Sequence, residues 1–106
     1  MNHITVDGLK IAYFDQGEGP VVLLLHGWGA PAKTYRLIID HLSSYCRVIA
    51  PDLPGFGESE EPPEAWTSAR FAEFVKAFAA ALNVEEAVLI GHSNGGRIAL
   101  HLLAEG

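Results

Sequence analysis

Residues 91–96 read Gly91-His92-Ser93-Asn94-Gly95-Gly96. They follow the apolar run Ala87-Val88-Leu89-Ile90 and lead into Arg97-Ile98-Ala99-Leu100-His101-Leu102-Leu103. This is G-x-S-x-G set between a strand and a helix. A chain that turns from strand to helix within two residues needs glycines where backbones pass closely, and it holds the serine in a strained conformation. Ser93 Oγ is then pushed out at the end of the sheet. The next N–H, that of Asn94, sits at a helix N-terminus, where it can receive an oxyanion. Three such fixed positions recur by chance in roughly 3% of chains this long, and the flanking elements lower that further.

Two stretches upstream belong with it. Residues 21–29, Val-Val-Leu-Leu-Leu-His-Gly-Trp-Gly, form an apolar run that ends in a glycine-containing loop. Residues 47–59, Arg-Val-Ile-Ala-Pro-Asp-Leu-Pro-Gly-Phe-Gly-Glu-Ser, form another. In this order "LLLHGWG", "VIAPDLPGFGES" and "LIGHSNGG" resemble the first half of an α/β-hydrolase-fold protein, over nearly the whole chain. The resemblance implies that Ser93 is the nucleophile and that Asn94 and Trp28 supply the backbone N–H groups of an oxyanion hole. Gly27, Trp28 and His92 would border the substrate, a small carbonyl compound. It implies loop-ordering roles for His26 and Asp52. The chain has neither HExxH nor CxxC nor a strand-linked G-x-G-x-x-G, so no cofactor and no metal are expected.

The departure from the pattern is equally informative. In the family the acid and the catalytic histidine follow the nucleophile in the chain. Thirteen residues follow Ser93, and the candidates among them are His101 and Glu105. His101 is two helical turns along, about 12 Å of rise from Ser93. Neither can orient onto Ser93 Oγ. Residues 1–106 are therefore expected to be a partial α/β-hydrolase domain whose acid and histidine lie elsewhere. Alone, such a chain is expected to be inactive; the alternative is a non-catalytic half or interaction module that retains the elbow. Its partners would be the missing C-terminal half or a second copy. Serine at the elbow separates the chain from the family's dehalogenases and epoxide hydrolases, which use aspartate there. Esters, lactones, amides and carbon–carbon bonds remain open as substrates.

Length and composition fit this. One hundred and six residues make one small domain, short for a full doubly wound sheet. A hydrophobic content of 49% with 19% charged residues is globular. The net charge of −6 argues against nucleic acid and anionic membranes as partners. No signal-like N-terminus or membrane-length apolar run is present, so a cytoplasmic address is expected. Cys46 has no partner for an internal disulfide and reads as a buried small hydrophobe.

The elements follow from local pattern. Residues 3–6 and 9–14 flank Asp7-Gly8, a hairpin with a type I′ turn. Val21–Leu25 reads as a strand covered on both faces. Thr34–Ser44 reads as a helix with Thr34 as N-cap and Leu37, Ile38 and Leu42 on one side. Arg47–Ala50 is the next strand, stopped by Pro51. The acidic stretch 58–64 reads as a solvated loop. Phe71, Phe74, Val75, Phe78 and Leu82 form one helical face, ended by Asn83. Gly106 would cap the last helix. The alternation implies an α/β fold: a mainly parallel sheet with an N-terminal hairpin and helices on both faces. The family resemblance implies that strand 21–25 lies between strands 47–50 and 87–90, which puts the switch point at His26-Gly27-Trp28 and Gly91-His92-Ser93.

Overall fold

The computed structural model describes residues 1–105, with Asn94, Ala104 and Glu105 described by backbone alone. Gly106, the expected cap, lies outside the described residues. The elements are β1 (Asn2–Val6), β2 (Leu9–Gln16), β3 (Val21–Leu25), a 3-10 turn (Ala32–Tyr35), α1 (Arg36–Leu42), β4 (Arg47–Pro51), α2 (Ser68–Ala81), β5 (Val88–Gly91) and α3 (Asn94–Glu105).

Among the described residues the strands form one sheet in the order β1-β2-β4-β3-β5. β1 and β2 pair antiparallel, as do β2 and β4; β4, β3 and β5 run parallel. The hairpin turn has Asp7 at φ 52° and Gly8 at φ 78°, the two positive values a type I′ turn needs. β3 leads through α1 to β4 on one side, while β5 flanks it on the other. The expected switch point is therefore present, between the C-terminal ends of β3 and β5.

Alternation along the strands sorts the core into two layers. Leu23, Leu25 and Ile49 face α2 and α3, where they meet Phe71, Phe74, Val75, Phe78 and Ile98. Leu24, Val48 and Ala50 face the other way, onto Ala32 and Ile39. α2 begins as its sequence dictates, with Thr67 Oγ1 accepting from Arg70 N at 3.1 Å. It ends in a Schellman turn: Asn83 adopts φ 60°, Asn83 N donates to Ala80 O, and Val84 N donates to Ala79 O.

The first helix departs from expectation. Thr34 lies inside the 3-10 turn and caps nothing; α1 starts only at Arg36. Leu37 and Ile38 are exposed, at 86% and 51%, and Ile39 is fully buried. The 3-10 turn fixes the phase by seating Ala32, so the inward positions run Ala32, Tyr35, Ile39, Leu42, at helical spacing. The acidic stretch also departs from a simple solvated loop. Its carboxylates are exposed, yet Ser59 is buried: its Oγ accepts from Ala12 N and donates to Asp52 O. Glu60 N donates to Lys10 O at 2.9 Å, which ties the loop to β2. Cys46 is half-buried just before β4, with its thiol on Leu42 O. No helix among the described residues is long and apolar enough to cross a membrane.

Candidate functional site

Ser93 has φ 56°, the left-handed region a non-glycine residue enters only under constraint. The constraint is the abrupt reversal from β5 into α3. His92 N donates to Leu25 O at 3.1 Å and so pins the turn to the end of β3. Gly95 N closes onto His92 O at 2.9 Å, and Arg97 N onto Ser93 O at 3.2 Å. The glycines are there for space. A Cβ on Gly91 would strike the Gly95 backbone, and one on Gly95 would strike the Leu25 carbonyl. Holding a serine at this φ costs about 1–2 kcal/mol, supplied by the packing around it. Ser93 is exposed, and α3 begins at the very next residue, Asn94.

The loop after β3 lies against this turn. A Cβ on Gly27 would sit 3.0 Å from His92 O and 3.1 Å from Ser93 Cβ, so the backbone passes close beside the serine. Among the described residues the Trp28 N–H donates to no protein acceptor. Trp28 is 49% exposed, and its ring meets Phe56 and Phe71 edge-on, at 4.9 and 5.6 Å. His92 is exposed and shares a hydrogen bond between its Nδ1 and the Tyr35 hydroxyl at 3.1 Å.

His26 and Asp52 hold these loops from beneath. His26 is buried, with Nδ1 2.7 Å from Gly27 O and Nε2 accepting from Leu53 N at 2.9 Å. That pair of partners demands the neutral ring protonated on Nδ1. Desolvation lowers the His26 pKa, against the opposing pull of the Gly27 hydrogen bond and the Asp52 charge. Asp52 is also buried; Oδ1 accepts from Ala32 N and Oδ2 from Glu58 N. It thus satisfies the open N–H at the start of the 3-10 turn. Both side chains are fully occupied as scaffolding.

A cleft of ≈330 Å³ opens beside the Trp28 ring, walled by Trp28, Phe56, Trp66 and Phe71. Trp66 and Phe56 were not among the site residues read from sequence; the signal was their place in the Gly- and Pro-rich stretch that leaves β4. No histidine hydrogen-bonds Ser93 Oγ among the described residues. His101 is exposed on α3, and the Glu105 side chain lies outside the described residues.

The model of the alpha/beta hydrolase fold family matches residues 20–106. The chain belongs to that family. It is 46% identical over 86 residues to the magnesium-chelatase 30 kDa subunit of Rhodobacter capsulatus, covering 80% of this chain and 30% of that protein. It is 38% identical over 104 residues to the 2-hydroxymuconate semialdehyde hydrolase of Pseudomonas sp. strain CF600, covering 93% and 36%. The crystal structure of a bacterial membrane phospholipase A superposes with a TM-score of 0.93 at 39% identity, covering 97% of this chain and 34% of that one. An epoxide hydrolase of Corynebacterium and a haloalkane dehalogenase of Mesorhizobium japonicum are further relatives. The chain thus spans about a third of the length of the relatives it matches.

Proposed function

We propose that Ser93 is the nucleophile of a serine hydrolase that acts on a small carbonyl compound through an acyl-enzyme. The observation that carries this is the positive φ of an exposed serine at a glycine-spaced strand-to-helix turn, beside the switch point of a parallel sheet. Ser93 Oγ would add to the carbonyl carbon and pass its proton to a histidine. The N–H groups of Trp28 and Asn94 would hold the oxyanion. Collapse of the intermediate expels the leaving group, and water then releases the acid. His26 is not that base, since both its nitrogens are engaged in the scaffold. The base and acid would come from outside these 106 residues, so the chain alone is expected to show little turnover.

A fluorophosphonate probe should label Ser93 when the chain is joined to the C-terminal half of its domain. Ser93→Ala should remove both labelling and turnover. Labelling elsewhere, with full turnover in Ser93→Ala, overturns the assignment. The alternative is a non-catalytic interaction module that keeps the elbow. That reading predicts no labelling in the joined protein although it folds.

A further inference from the structure

The cleft beside Trp28 has a chemistry that the hydrolytic reading leaves unused. It is lined by the aromatic residues Trp28, Phe56, Trp66 and Phe71 set among prolines, and by Glu61 and Glu64. Both carboxylate residues are exposed, as expected for side chains standing at a mouth. Among the described residues no lysine, arginine or histidine lines it. Aromatic faces present negative charge density, and a cation within about 6 Å of a ring centroid is held by it. A fixed negative rim adds to that attraction, and an acidic chain of net charge −6 reinforces it. One of these rings already does this within the molecule: the Arg70 guanidinium lies 4.0 Å above Trp66, while also pairing with Asp7.

We infer that this cleft receives a cationic group, an alkylammonium carried by the ligand. Trp28 borders the cleft and directly follows Gly27, whose backbone passes beside Ser93. The inference rests on the proposed hydrolase only in making the ammonium part of a substrate. An ester or amide with a positively charged portion would seat that portion among the rings and bring its carbonyl to Ser93. The volume of ≈330 Å³ accommodates a trimethylammonium-sized head with several further heavy atoms.

The two tryptophans of the chain, Trp28 and Trp66, both line this cleft, so intrinsic fluorescence reads its occupancy directly. The test is a titration with choline, at constant ionic strength, of the chain joined to the C-terminal half of its domain and shown by circular dichroism to be folded. The uncharged isostere 3,3-dimethyl-1-butanol serves as the comparison. Choline should give a saturable change at a concentration at least about tenfold below that of the alcohol, a difference of about 1.4 kcal/mol. Glu61→Gln with Glu64→Gln, both at exposed positions, should erase most of that preference while leaving the far-UV circular dichroism unchanged. Equal responses to choline and the alcohol overturn the inference, as does the absence of a saturable choline response. A preference that survives the double substitution overturns the part assigned to the carboxylates. Because binding is read without turnover, a failure of Ser93 labelling in the joined protein would count against the hydrolase alone.

Discussion

At the residue scale, two side chains show how charge and tautomer are fixed for a structural purpose. Asp52 was legible as a loop-ordering residue because it stands directly after a strand in a Pro-Asp-Leu-Pro-Gly turn. Its reach to Ala32 N, twenty residues earlier, was not legible, since a distant cap leaves no local spacing signal. His26 follows the same logic, and its state has a measurable consequence. Its folded pKa is lowered from 6.5 by burial, so below that value the unfolded chain takes up a proton that the folded chain resists. Its contribution to stability is complete above the unfolded value. It falls as the pH drops through that value toward the lower folded one. Urea denaturation from about pH 7.5 to about pH 5.5 should show this loss. His26→Gln should be less stable at neutral pH but flatter over the same range. An identical slope in the two proteins would remove His26 as the source.

At the element scale, the helices show what periodicity can and cannot deliver. α2 was legible in its apolar face and in its stop at Asn83, which is left-handed; the Thr67 cap is added by the structure. Each signal is local, and all agree. α1 is only seven residues long, too short for its own pattern to set the phase, and its seating comes from the 3-10 turn and from Asp52. α3 carries the most specific demand. Gly95 and Gly96 are adjacent in sequence and both lie in the helix, where alanine is ordinarily better by about 0.5–1 kcal/mol. Gly96 has room, since its nearest neighbour would be 3.5 Å from a Cβ; Gly95 does not, because the Leu25 carbonyl occupies that space. Gly96→Ala is therefore expected to hold or raise the melting temperature. Gly95→Ala should destabilise by about 1–3 kcal/mol through overpacking, and should displace the serine as well. A thermal melt of each variant checks this. Equal behaviour would mean that α3 does not dock against the end of β3.

At the scale of the whole molecule, the sheet presents an exposed apolar edge. β5 is an edge strand, and its neighbour on the inner side is β3. Val88 and Ile90 on it are exposed, at 61% and 41%, and the nearby surface of α1 and α3 leaves Ile38, Leu100 and Leu103 at 51%, 66% and 68%. The edge carries neither charge nor proline, and its outward N–H and C=O groups are free to template another strand. This was legible only through the family resemblance, whose strand order places 21–25 between the other two and so puts 87–90 outermost here. The exposure of Ile38 was not, because it follows from the phase of α1. The expected consequence is that the isolated chain associates at tens of micromolar, through β5, with a second copy or with a strand supplied by the other half of its domain. Sedimentation velocity should find species larger than the monomer. Val88→Lys with Ile90→Lys should return the chain to the monomer by setting charges along the edge, with the hairpin and α2 undisturbed. A wild-type chain that sediments as a monodisperse monomer and unfolds cooperatively would refute the association. Association that persists in the lysine variant would move the contact from β5 to the apolar surface of α3.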